Sequence, residues 1–295
     1  MGAVLLESAT PVGGHDHQID RAVEAAPVYA GLSFCFGVRC AQDDLARELD
    51  GALAPLRTDA EPSHWYTLVR TANGEVEVRL DGVAVVRARD GWWASRWLMW
   101  HVNRAVVDAT CEHLLLHAGA VVTRGAGVLI PGAPGAGKST LVAGLVQRGC
   151  GYLTDEVVAL AGDPPVVLPY PKALALSARS MDAVNAEPAG TVPLKGKGKR
   201  QVVADRLRRG AVAGPAPVRV VIVPRYCAGA TTELEAMDPT EALVSLVTNA
   251  VNLEHHGVGG IATLAVLAES GACFRLDYAD LDDAWRVLDA TFERT

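Results

Sequence analysis

The chain has 295 residues, half of them apolar and 21% charged, with a formal net charge of −7. That balance excludes disordered and fibrous classes, and the acidic excess argues against a nucleic-acid partner, which needs a basic face for phosphate backbones. Without an apolar run near the ~18 residues that cross a bilayer, and without the basic start of a secretion signal, the chain is expected to be cytoplasmic with no membrane partner.

The length suits two domains. Residues 1–27 mix Gly, Pro, His and Asp and read as a flexible lead-in. Residues 28–111 read as a small α+β accessory domain. Within it "WYTLVRTANGEVEVRLDGVAVVRARDG" holds three short β-rich runs, separated by Asn73-Gly74 and Asp81-Gly82, dipeptides suited to tight hairpins. "WWASRWLMWHVNRAVVDATCEHLLLH" then spaces Trp93, Trp97, Trp100, Val107 and Leu114 as one face of a long helix, with the tryptophans in a core or domain seam.

Residues 112–295 read as a nucleotide domain. "AGAVVT" and "GVLIP", split by "RGAG", predict a hairpin whose second arm feeds a glycine-rich loop. "STLVAGLVQRG" is a short helix closed by Gly149 and Gly151, and "YLTDEVVAL" returns as one strand. The stretch from Lys195 to Arg209 is strongly basic and reads either as a solvated loop or as a segment, including Lys197 and Lys199, that closes over nucleotide or grips an acidic substrate. "VRVVIVPRY" and "CFRLDY" are strands, "PTEALVSLVTNAVN" a helix, and "DLDDAWRVLDATF" a final helix capped by Asp280. His255 and His256, adjacent and therefore divergent on a regular element, are assigned to a Gly-rich loop beside the site. The six cysteines form no CxxC pair and are expected to be reduced thiols.

The chemistry centres on Gly132-Ala133-Pro134-Gly135-Ala136-Gly137-Lys138-Ser139-Thr140, which fits GxxxxGK[ST] between a strand and a helix. Such a loop turns its backbone N–H groups toward phosphate, its lysine toward the β and γ phosphates, and its serine hydroxyl toward Mg²⁺. Asp155 and Glu156 follow Ser139 closely. One acid is expected to serve the metal and the other the acceptor hydroxyl of a phosphoryl transfer. His117, at the mouth of the hairpin, reads as a structural histidine or as a partner of the transferring group. Lys172, Arg179 and Arg225 are candidates for charge compensation around phosphates or substrate.

Taken together, "HAGAVV", "GVLIPGAPGAGKSTL", "RGCGYLTDE" and "VPRY" resemble the HPr kinase/phosphorylase family. They resemble more closely its relatives associated with ribosomally made modified peptides, such as the kinases that phosphorylate a serine of lasso-peptide precursors. The resemblance covers residues 112–293 and places His117 with Gly119 in an HxG segment, and Asp155 with Glu156 where the family has two aspartates. It implies an α/β, phosphoenolpyruvate-carboxykinase-like P-loop domain with a mixed sheet. It implies ATP and Mg²⁺ as cofactors, Asp155 as general base with His117 beside it, and Mg²⁺ organised by Ser139 and the acid pair. A precursor-peptide serine is the implied acceptor, and a homo-oligomer the implied assembly. The family's glutamate-arginine segment and its C-terminal phosphorolysis signature are missing, so reverse phosphorylase activity and HPr as substrate are not implied. A small-molecule hydroxyl kinase and a non-catalytic nucleotide-binding regulatory module are the alternatives.

Overall fold

The computed structural model describes residues 3–5, 26–187 and 198–294, and the chain divides between Ala109 and Thr110 into two compact units. It is a mixed α/β protein with several sheets. Among the described residues no helix is long and apolar enough to cross a membrane.

The first unit is built on a six-stranded sheet ordered β1-β6-β5-β4-β3-β2, from β1 (Ala3–Leu5), β2 (Val28–Gly31), β3 (Phe34–Cys40), β4 (His64–Arg70), β5 (Val76–Leu80) and β6 (Val83–Ala88). Only β3 and β4 pair in parallel among these strands. A parallel pair needs a crossover, and helix α1 (Asp43–Leu53) lies in that connection. The two expected hairpins form, with Gly74 at φ 87° and with Asp81 and Gly82 at φ 50° and 83°, the left-handed values that tight turns require. Helix α2 (Gly91–Ala109) departs from expectation in face and in length. Its buried residues include Ala94, Leu98, Val102 and Val106, a four-residue repeat, while Trp100 is 62% exposed. The helix stops at Ala109, and Leu114–Leu116 is a buried strand.

The second unit carries a nine-stranded mixed sheet. Its strands are β7 (Leu114–Leu116), β8 (Ala118–Thr123), β9 (Ala126–Pro131), β10 (Gly151–Thr154), β11 (Val158–Ala161), β12 (Val166–Leu168), β15 (Ala216–Tyr226), β16 (Glu233–Ala236) and β17 (Ala272–Tyr278). A small pair, β13 (Leu174–Leu176) with β14 (Arg200–Val202), stands apart from it. The expected β8–β9 hairpin is present, turning through Arg124 and Gly125, and β15 runs parallel to β9 on its other side. Alternation along the strands makes two cores. Val128, Ile130, Val220 and Ile222 face helices α3 (Lys138–Gln147) and α8 (Leu281–Phe292). Leu129 and Val221 face α6 (Pro239–Thr248) and α7 (Leu253–Ser270). Asp280 caps α8 as expected, accepting from the backbone N–H groups of Asp282 at 2.8 Å and Asp283 at 3.1 Å.

One expectation fails here. His255 and His256 lie in the first turn of α7, not in a loop, because the run "IATLAVLA" after the glycines carries enough apolar surface to dock a helix. The described part of the basic stretch holds β14, the short helix α5 (Ala204–Leu207), and Arg208, whose guanidinium donates to the carbonyls of Val146 at 3.1 Å and Cys150 at 3.0 Å. Arg208 therefore closes the end of α3, a structural use of its charge. Lys195 and Lys197 lie outside the described residues.

Candidate active site

The loop Gly132–Gly137 leaves the buried β9 and enters α3 at Lys138. Gly137 sits at φ 97° with the Tyr278 hydroxyl against its Cα, where an added Cβ would come within 2.4 Å of that oxygen. Both backbone angle and space thus exclude a side chain. Lys138 is buried, and its ammonium folds back onto the carbonyls of Gly132 and of Ala133, the latter at 3.0 Å. Burial holds its pKa below the usual lysine value. Lys199 pushes in the same direction, and Asp155 and Glu156 oppose it. Among the described residues no carboxylate is bonded to Lys138, which stands at the head of a helix whose N–H groups favour an anion.

The acids come to this loop through a paired crossover. On one side the chain runs β7, His117, β8. On the other it runs β10, Asp155-Glu156-Val157, β11. β7 pairs with β11 and β8 with β10, so both chains change partners at the same height. The sequence reading made "YLTDEVVAL" one strand; it is two, and the acids occupy the break. At the crossover the Glu156 carbonyl accepts the Ala118 N–H at 3.2 Å and lies 3.1 Å from His117 Nδ1. A carbonyl can only accept, so Nδ1 carries the proton and Nε2 keeps a lone pair. Burial, with Lys138 adding to it, lowers the His117 pKa against the pull of the acids and keeps the ring neutral. Gly119 completes the HxG segment: a Cβ there would stand 2.6 Å from Val142 Cγ2 on α3 and 3.7 Å from Asp155 Cα. The absent side chain lets the helix, the hairpin and the acid-bearing turn meet.

Lys172 lies beneath the acid pair. Its side chain is 6% exposed, with the ammonium 3.3 Å from Asp155 Oδ1 and 2.7 Å from Glu156 Oε2. Burial would lower its pKa, but the two carboxylates more than offset that and hold it above the ordinary lysine range. The Glu156 pKa is depressed, first by Lys172, with His117 and Lys199 contributing. Asp155 is 3% exposed and reaches the Tyr152 hydroxyl at 3.3 Å through Oδ1 and the Ala175 N–H at 3.4 Å through Oδ2. Each carboxylate gives one oxygen to Lys172, and the second oxygen of Asp155 takes, among the described residues, only the Ala175 N–H. Carboxylate oxygens and a serine hydroxyl are the donor types Mg²⁺ takes when it shares its shell with water and phosphate, so the chemistry of Asp155, Glu156 and Ser139 fits that ion. Among the described residues no group of three or more His, Cys, Asp or Glu could by itself hold a metal.

No protein-family model and no curated protein matches this chain. Among solved structures it is similar to the Hpr(Ser) kinase/phosphatase from Coxiella burnetii, at 16% identity, with a TM-score of 0.29, across 61% of this chain and 93% of that one. The functional reading therefore rests on the residues themselves.

Of the remaining sequence candidates, Lys199 acts electrostatically on both Lys138 and Glu156. Arg225 is turned away. Its neighbours Pro224 and Tyr226 pack on the loop at Gly132 and Gly137, and strand alternation sends Arg225 to the opposite face, where it pairs with Asp277, Nε at 2.8 Å from Oδ1. Arg179 lies over the ring of Tyr226, 5.1 Å from its centroid, and donates to the phenol oxygen. Tyr226 was not singled out in the sequence; the signal for it was its place at the end of the strand "VRVVIVPRY", beside the loop.

Proposed function

We propose that this chain is an ATP-dependent kinase that moves the γ-phosphoryl group onto a hydroxyl, with a serine of a ribosomally synthesised precursor peptide as acceptor. The paired crossover carries the reading. It sets a neutral histidine and two acids within electrostatic reach of the phosphate-loop lysine, an arrangement that suits transfer to a hydroxyl as well as binding. The peptide acceptor is supported by the motif resemblance to precursor-peptide kinases. In this reading the loop N–H groups and Lys138 seat the phosphates, and Ser139, Asp155 and Glu156 would hold Mg²⁺, which would supply charge screening for the transfer. The acceptor oxygen attacks the γ-phosphorus as the bond to the β–γ bridging oxygen breaks, its electron pair leaving with ADP. The hydroxyl proton passes to Asp155. His117 Nε2 borders the same space and orients the acceptor. Lys172 pairs with both acids and holds the Glu156 pKa low, and Lys199 adds positive charge nearby.

Incubation with γ-labelled ATP, Mg²⁺ and serine-containing precursor peptides should place label on serine. Asp155→Asn should cut transfer about 10²- to 10⁴-fold while nucleotide still binds. Absence of label on any hydroxyl acceptor with wild type, or equal transfer by Asp155→Asn, sinks the assignment.

A further inference from the structure

The loop's second flank carries a pair of side chains that phosphate chemistry does not require. Tyr226 ends β15, and its N–H donates to the Ala136 carbonyl at 3.2 Å, so the ring is tied to the phosphate loop by backbone. Tyr278 braces it from the side, ring centroids 5.6 Å apart and nearly perpendicular, with its own hydroxyl donating to the Gly137 carbonyl at 3.1 Å. Above the Tyr226 ring lies Arg179, on the short helix α4 (Ala178–Ala183). That helix is fastened to α3 by the Thr140 hydroxyl, which donates to Ser180 Oγ at 2.8 Å. Arg179 is exposed and Tyr226 half-buried. An aromatic ring tied by its backbone, braced by a second ring and covered, among the described residues, by a movable guanidinium is a stacking site. Resting on the kinase reading, we propose that Tyr226 and Arg179 clamp the nucleobase of the donor, the base stacking on the ring and the guanidinium closing over its other face.

Two physical arguments place a base there. In-line transfer puts the acceptor oxygen and the leaving oxygen on opposite sides of the γ-phosphorus. A nucleotide whose γ-phosphate faces Asp155 and His117 therefore extends its nucleoside along the stretch Ala136–Thr140, whose Ala136 carbonyl takes the Tyr226 N–H and whose Thr140 hydroxyl holds Ser180, next to Arg179. Stacking on an aromatic ring with an arginine over the other face is also a recurrent way to hold a base by its π-face. Arg179 at 5.1 Å leaves no room for a base beneath it, so its side chain must swing outward and close again, a fast motion for an exposed arginine.

Calorimetry on the full chain separates base from phosphate by comparing Mg-ATP with Mg-tripolyphosphate. Tyr226→Leu should weaken ATP about 10- to 100-fold and leave tripolyphosphate within about 2-fold, while Tyr226→Phe keeps wild-type ATP affinity. Arg179→Ala, at an exposed site that does not endanger folding, should weaken ATP about 3- to 10-fold and spare tripolyphosphate. If Arg179→Ala weakens both ligands alike, Arg179 is a phosphate ligand and the clamp is wrong. Loss of tripolyphosphate binding in Tyr226→Leu makes Tyr226 a support for the loop and likewise overturns it, as does unchanged ATP affinity in both variants. Wild type that binds neither ligand removes the kinase reading together with the clamp; wild type that binds both while the variants match it removes the clamp alone.

Discussion

The phosphate loop and the floor beneath the acid pair each bury one lysine, and the two lysines live in opposite electrostatic worlds. Lys172 is enclosed with two carboxylates and held above the ordinary lysine range. Among the described residues Lys138 is bonded to backbone carbonyls alone, and it is held below that range. The first charge is already answered within the fold. The second is answered when an anion arrives, because carbonyl dipoles solvate an ammonium but do not neutralise it. Buried charge in this unit is thus divided between a part that maintains the fold and a part kept for a ligand.

The sharpest way to break that comparison is to remove each lysine in turn. Lys138→Met should lower phosphoryl transfer about 10²- to 10³-fold, the loss of one preorganised charge at the transferring group, with a melting temperature equal to or above wild type. A large fall in melting temperature would show that Lys138 is structural. Lys172→Met leaves Asp155 buried without its cation and should cost about 3 kcal/mol of stability, read as a lower midpoint in urea at an unchanged slope. The double variant Lys172→Met/Asp155→Asn should recover most of that. An unaltered midpoint in the single variant would mean that the pair is not coupled.

A smaller effect tests how the two regions are held together. Gly119→Ala drives a methyl into Val142 on α3 and should cost about 1–3 kcal/mol by overpacking, with turnover falling because the loop helix moves against the acids. Normal stability and turnover would show that the contact relaxes freely. The smallest effect concerns His117. Its folded pKa lies below the unfolded value near 6.5, so the unfolded chain binds the extra proton and stability should fall as pH drops through about 6.5 toward the folded value. His117→Gln should flatten the melting temperature across that window. Glu156, depressed in the fold, contributes stability that is present above its unfolded pKa near 4.3 and lost at lower pH, so its signature stays separate.

What the sequence revealed depended on the range of the interaction involved. The β8–β9 hairpin, the glycine loop and the Asp280 cap were legible because turns and caps are written in neighbouring residues. The break in "YLTDEVVAL" was not, because both halves are apolar and only β7 and β8, more than 30 residues earlier, decide where the strand must change partners. For the same reason the acids were found by spacing, while their salt bridges to Lys172 appeared only in three dimensions. Arg225 and Tyr226 show the cost of a missing phase: a strand is evident from "VRVVIVPRY", but which side faces the loop is not, and a one-residue slip exchanges the ion pair for the aromatic ring. Helix α2 misled in the same way. Trp93, Trp97 and Trp100 drew attention to their own spacing, while smaller residues set the buried face.

The paired crossover has a consequence for how this protein changes over generations. Because strand pairing positions residues 117, 155 and 156, their backbone is held by main-chain hydrogen bonds, while the pairing with Lys172 ties the two acid side chains to the fold. Isosteric substitutions that respect that pairing should silence chemistry while leaving a folded, nucleotide-holding body, so the step from an enzyme to an inert sensor is short for this architecture. The same frame makes the crossover a socket in which a protein engineer can vary the acids together with Lys172 without redesigning the backbone.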